Sequence, residues 1–172
     1  MSVAFPWLKP PRPDKALPRD QLEHHIQEMM SMVNTCVLST ISKDGKPVAS
    51  PIEYYADGLD IYMLPDEGSP KLLAMQRDPH VSLAVHKSHN SWASARGVQY
   101  FGKATILEPD TPGWQHGMNI FRWRVWAEEL EWDLNEPPKL ALVKVVPDRI
   151  LYTDTWLWPL GYGARQKWRR EP

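Results

Sequence analysis

One cysteine, Cys36, is all the chain has, so no intrachain disulfide forms and the fold must close on packing and hydrogen bonds alone. That thiol lies in an apolar run and reads as a buried structural group in a reducing compartment. No apolar stretch approaches the roughly 20 residues a membrane-spanning helix needs, and residues 1–11 lack the charged-then-apolar order of a secretion leader. A cytoplasmic protein is expected. Neither sign of charge dominates: 20 Lys and Arg stand against 21 Asp and Glu, a net charge of −1, which argues against nucleic acid or a membrane as partner. Glycine-rich dinucleotide fingerprints, Ser–His–acid and Cys–His arrangements and internal repeats are all missing. His24 and Glu28, one helical turn apart, are too few to hold a metal, and none is expected. His80, His86, His89 and His116 are scattered along the chain.

Large rings and prolines are abundant instead, nine Trp and seventeen Pro in 172 residues. Pro6, Pro10, Pro11, Pro13 and Pro18 keep residues 1–19 out of regular structure, an extended arm ahead of a single domain over 20–172. Asp20 and Glu23 have the spacing of a helix cap with its reciprocal partner, and Leu22, Ile26, Met29 and Val33 share a face, which predicts a helix over 20–33. The period then falls to two, predicting strands over 36–41, 48–55 and 59–64 around the turns Asp44-Gly45 and Asp57-Gly58. Ser69 caps a short helix with Pro70 in its first turn, stopped at Asp78-Pro79. Strands over 81–85 and 97–107 follow, with Gly102 marking a bulge. A helix over 111–132 carries two apolar stripes rich in Trp, and two strands over 139–146 and 149–153 are separated by Pro147. This order, joined by hairpins, predicts a mainly β, antiparallel, Greek-key-like barrel with helices outside. The Trp-rich helix and the tail with Trp156, Trp158 and Trp168 offer more apolar surface than one small barrel covers, which predicts a homodimer.

The turn Ser69-Pro70-Lys71 places an ammonium in the first turn of a helix, where the macrodipole favours acids. A phosphate held by the free backbone N–H groups, the Ser69 hydroxyl and Lys71 resolves that conflict, although a solvated lysine beside an ordinary cap reads as well from three residues. For a flat ring, strand 59–64 offers Tyr62 and Leu64 on one face and Met63 on the other, and the strand before it offers Ser50, Ile52 and Tyr54; such residues are also ordinary core.

In sequence order, Asp44-Gly45-Lys46-Pro47, Ile61-Tyr62-Met63-Leu64, Ser69-x-Lys71, Asp78-Pro79-His80-Val81-Ser82-Leu83-Ala84-Val85 and Gly102-Lys103-Ala104 resemble the pyridoxamine 5′-phosphate oxidase-like FMN-binding split β-barrels. The resemblance covers residues 20–107, with a looser echo from Val146 to Trp168. It implies a homodimer with FMN at the subunit interface and a small-molecule substrate. Ser69 and Lys71 would hold the phosphate; Ser50, Pro51, Ile52, Tyr62, Met63 and Leu64 would meet the ring or ribityl chain. Gln99 approximates the family's strand glutamine, and Trp156 and Arg165 would reach the flavin from the partner subunit. Two family arginines are missing, at Ser50 and Pro70, so either FMN binds more weakly or one of Arg96, Lys103, Arg165 and Arg169 replaces them. The residues that grip pyridoxal phosphate are also missing, so an FMN-dependent oxidoreductase other than a true pyridoxamine-phosphate oxidase is expected. The alternatives are a non-enzymatic flavin- or haem-binding barrel and a deazaflavin-dependent reductase.

Overall fold

The structure, a computed structural model, describes residues 9–88 and 91–171, so Pro6 of the expected arm and His89 lie outside the described residues. Two-residue periodicity forms the strands β1 (Thr35–Ile41), β2 (Pro47–Glu53), β3 (Tyr55–Asp57), β4 (Asp60–Met63), β5 (His80–His86), β6 (Arg96–Leu107), β7 (Leu142–Asp154) and β8 (Arg165–Arg169). Every pairing is antiparallel, in the order β2-β1-β5-β6-β7-β4-β3, with β8 added on β7. β6 runs along β7 throughout, while the other side of β7 is shared, with β4 at 143–145 and β8 at 149–153. The sheet therefore curls into a half-barrel flanked by helices, the split β-barrel the sequence predicts.

Among the described residues four α-helices complete it: α1 (Arg19–Met32), α2 (Pro70–Arg77), α3 (Pro112–Phe121) and α4 (Trp123–Glu129). The main core gathers Ile26 and Met29 of α1, Leu72 and Met75 of α2, and the inward residues Leu38, Leu83, Tyr100 and Ile150 of the sheet. A second cluster seats Trp114, Met118 and Phe121 of α3 and Trp123 of α4 over Tyr62 and Leu64. α4 is also pinned by Glu53, whose carboxylate accepts from Trp126 Nε1 at 2.7 Å, Asn34 Nδ2 at 2.8 Å and Tyr55 OH at 3.0 Å. Among the described residues no helix is long and apolar enough to cross a membrane.

Local chemistry departs from the sequence-based expectation in five places. The strand expected over 48–55 is two, β2 and β3, with Tyr54 between them bonding Asn34 O through its N–H at 2.7 Å, and β2 pairs with β1 while β3 pairs with β4. Pro18, not Asp20, stands at the cap position of α1, without a side-chain cap bond; Glu23 instead pairs with Arg19 at 3.0 Å and accepts from Trp168 Nε1 at 2.6 Å. The expected helix over 111–132 is broken at Arg122, whose φ of 58° is left-handed, so the two apolar stripes belong to two helices at an angle. The two strands expected around Pro147 are one, because Pro147 lies opposite Gly102 where the register shifts and no ladder donor is required of it. β8 has no counterpart in the expected order; its inward residues are Gln166 and Trp168. The Trp-rich surface is also largely consumed within the chain, with Trp114, Trp123, Trp158 and Trp168 all buried.

Candidate functional site

Continuing the β3–β4 register beyond Tyr55 and Tyr62 would set Leu64 opposite Glu53, but the ladder ends at Tyr55 because the chain turns at Tyr54, whose N–H bonds Asn34 instead. A seam opens there between β2 and the end of β4. Pro51 and Ile52 lie on one side of it, and Met63 and Leu64, with no strand partner away from β7, on the other. α2 begins beside it: Ser69 caps the helix, its hydroxyl accepting from Leu72 N at 3.4 Å, and Pro70 occupies the first turn. Among the described residues Lys71 Nζ donates only to the Pro51 carbonyl, at 3.4 Å, a long bond, and no carboxylate pairs with the ammonium.

A groove of about 480 Å³ runs between α2 and the hairpin of β1 and β2. Thr40 and Ser50 line it from the strands, Lys43 from the intervening turn, and Pro70, Lys71 and Arg77 from the helix. Its lining holds three cations and no carboxylate, and the first turn of α2 holds no acid either. Such a groove fits a phosphate group, with the helix dipole and the ammonium acting together. Lys43 and Arg77 are cations that sequence reasoning passed over; Pro70, Leu73 and Arg77 follow at helical spacing, the signal that put Arg77 on the groove side. Its guanidinium is braced by the carbonyls of Leu73 at 3.0 Å and Ile41 at 3.4 Å. Burial pushes the nearby Cys36 thiol up to about 12, against the opposing pull of Lys71, so the thiol stays protonated and inert.

The ring candidates divide sharply. Tyr62, Met63 and Leu64 are buried, Met63 in the main core and the other two under α3, whereas Pro51 is exposed and Ser50 and Ile52 are half-buried. Gln99 and Arg165 lie elsewhere, lining a groove of about 630 Å³ on the outer face of β5 to β8 together with His86. Trp156, about half exposed, follows β7 with its N–H on Asp154 Oδ1 at 2.9 Å. No lining residue is common to the two grooves. A single protomer thus splits the candidate residues into a seam set and an outer-face set.

Of the cations expected to replace the two missing arginines, Arg96 is committed to Glu28 at 2.7 Å, Tyr152 OH at 2.9 Å and Asp154 at 3.2 Å, tying α1 to the barrel. Lys103, Arg165 and Arg169 project from the outer face. The groove beside α2 is lined by Lys43 and Arg77 instead.

The sequence profile of the pyridoxamine 5′-phosphate oxidase family matches residues 22–154. No curated protein sequence matches the chain. Among solved structures, a Listeria innocua protein provisionally assigned as a pyridoxamine 5′-phosphate oxidase superposes with a TM-score of 0.59 at 22% identity, covering 76% of this chain and 97% of that one. A haem-binding protein from Mycobacterium smegmatis gives 0.68 at 15% identity over 89% of this chain and 60% of that one. A FAD-binding protein from Mesorhizobium loti gives 0.57 at 21% identity over 78% and 90%. At these identities the likeness is one of fold.

Proposed function

The chain belongs to the pyridoxamine 5′-phosphate oxidase family, and from that premise we propose that it is an FMN-binding flavoprotein, an FMN-dependent oxidoreductase of a small molecule that works as a homodimer. The observation that carries this reading is the acid-free groove at the start of α2, where Lys71 has no counter-ion among the described residues. Ser69, Lys71 and the main chain of the first turn hold the phosphate, with Lys43 and Arg77 adding charge where the family's arginines are missing. Ser50, Pro51 and Ile52 border the ribityl chain and ring; the side chains of Tyr62, Met63 and Leu64 are spent in the cores, which limits their part to the main chain. Gln99, Trp156 and Arg165 come from a second copy, because one protomer keeps them away from the seam. Bound FMN supplies two-electron redox chemistry, and the protein orients the ring and controls access of water and oxygen to it. The outer face of β1, β2 and β5, where Val37, Ser39, Ala49, Pro51, Ser82 and Ala84 share one side of the ladder, suits the contact between copies.

Purified protein should be yellow and release FMN on denaturation, identified by chromatography against FMN, FAD and a deazaflavin. A colourless protein that does not quench added FMN fluorescence would overturn the proposal. A haem-binding reading has one observation in its favour, the exposed imidazole of His86 beside Gln99 and Arg165 in the larger groove. A Soret band that disappears in His86→Ala would select it.

A further inference from the structure

The outward ladder positions of β5 to β8 carry no carboxylate, in a chain with 21 acids. Apart from Lys144 of β7, which pairs with Asp60 at 2.8 Å, they carry five cations, Lys103 on β6, Arg149 on β7 and Arg165, Lys167 and Arg169 on β8. None of these five makes an ion pair among the described residues; the nearest engagement is the Arg149 guanidinium over the Phe101 ring at 4.0 Å. Arg149 and Arg169 even stand opposite each other in the ladder, a like-charge pairing that costs stability in isolation. Asp148, the extra residue of the β7 bulge, is an exposed acid that adjoins this face: it precedes Arg149, and its carbonyl accepts from Arg170 N at 3.0 Å. Phe101 and Leu151 give the same face an apolar floor.

The converse surface follows α4. Residues 128–136 read Glu-Glu-Leu-Glu-Trp-Asp-Leu-Asn-Glu, five acids and no base. Leu130, Trp132 and Leu134, exposed at 49%, 40% and 49%, alternate with those acids. The segment is held in place rather than loose: Trp132 N bonds Ala127 O at 2.7 Å and Leu130 N bonds Trp126 O at 2.9 Å. Among the described residues Glu128, Glu129 and Glu131 make no ion pair, Asp133 accepts only from Asn135, and Glu136 feels Lys139, which is bonded to Asp110. Arg122 and Arg124 of the same region lie over the rings of Tyr55 and Trp123.

We infer that the acidic, apolar ridge at 128–136 docks on the basic outer face of β7 and β8 of a second copy. Acids meet unpaired guanidinium and ammonium groups, and Leu130, Trp132 and Leu134 cover Phe101 and Leu151. Within one protomer no ion pair joins the two surfaces, while a two-fold axis makes the contact twice and counts every pairing twice. A network of several pairs over an apolar floor is also worth more than isolated surface bridges. The inference rests on the homodimer of the preceding reading and assigns that dimer its specificity: Arg165, placed near the flavin, belongs to the docked face.

Sedimentation of the full-length chain with Glu129→Lys/Glu131→Lys, with Lys167→Glu/Arg169→Glu, and with all four substitutions tests it. Each pair should raise the dimer dissociation constant roughly ten- to a hundredfold at low salt, and the fourfold variant should return it to within about threefold of the parent. In about 1 M salt, where the screening length is about 3 Å, the differences should shrink. Near-ultraviolet circular dichroism confirms that each variant is folded. A parent that stays monomeric at every concentration overturns the inference and the homodimer together. A dimer indifferent to both pairs, or a fourfold variant no tighter than either pair, overturns the docking alone, with FMN content reporting separately on the cofactor. Dissociation by the Lys167/Arg169 pair with no effect of the ridge pair also overturns it, because the face then takes an anion from another source.

Discussion

Two side chains show how a charge is used in this barrel. Among the described residues Lys71 has a carbonyl at 3.4 Å and no acid, so its ammonium is available to a ligand. Lys71→Ala should weaken FMN binding by ~1.5–3 kcal/mol through loss of a charge-assisted contact, and a fluorescence titration that returns an unchanged dissociation constant removes the phosphate assignment. Arg96 is the opposite case, fully engaged by Glu28, Tyr152 and Asp154. The hydrogen bond from Arg96 holds the Glu28 carboxyl below its ordinary 4.5. A depressed folded value means that the contribution of Glu28 is complete above 4.5 and disappears as pH falls through the lower folded value. Glu28→Gln should therefore melt below the parent at neutral pH, and the gap in Tm should close in acid; a gap that persists unchanged at low pH contradicts the ion pair. The sequence singled out Lys71 by its odd place in a first helical turn, but His24–Glu28 spacing concealed the real partner of Glu28, which comes from a strand 68 residues away.

At the scale of elements, the bulge between β6 and β7 decides whether β7 can be one strand. A Cβ on Gly102 would run into the carbonyl oxygen of Val146 and lie 2.9 Å from Pro147 Cα. Both are main chain and cannot swing aside, so Gly102→Ala should destabilise by about 2 kcal/mol. Gly113, in the first turn of α3, is the control: its nearest neighbour would be Leu107 Cδ2 at 3.7 Å, and Gly113→Ala should gain about 0.5 kcal/mol from helix propensity. Equal denaturant midpoints for the two variants would refute this account of the bulge. Gly102 was legible as a bulge, yet its consequence for Pro147 was not, because a ladder position that needs no donor exists only once both strands are paired. β8 was hidden for a related reason: Arg165-Gln166-Lys167-Trp168-Arg169 has the right period, but Gln166 reads as polar although it is buried, clamping the arm by accepting from Leu17 N at 2.9 Å and donating to Lys15 O at 3.2 Å. Periodicity likewise put Tyr62 and Leu64 on one face without showing that α3 would cover it.

For the whole molecule, the division of the candidate residues between seam and outer face has a thermodynamic consequence. The phosphate groove and the groove with Gln99 and Arg165 share no wall, so a flavin that needs both is bound fully only when two copies meet. Binding and assembly are then linked, and the linkage is reciprocal: FMN must tighten the dimer by the factor by which dimerisation tightens FMN. At FMN concentrations about a hundredfold above its dissociation constant, ligation stabilises the folded state by about 2.7 kcal/mol. The melting temperature of the apoprotein should rise with protein concentration, and that of the FMN-loaded protein should lie higher and depend on it less. Sedimentation equilibrium with and without FMN reads the coupling directly, as a lower dissociation constant for the loaded dimer. Equal constants would mean that each copy completes its site alone, in which case Gln99, Trp156 and Arg165 have no part in holding the flavin.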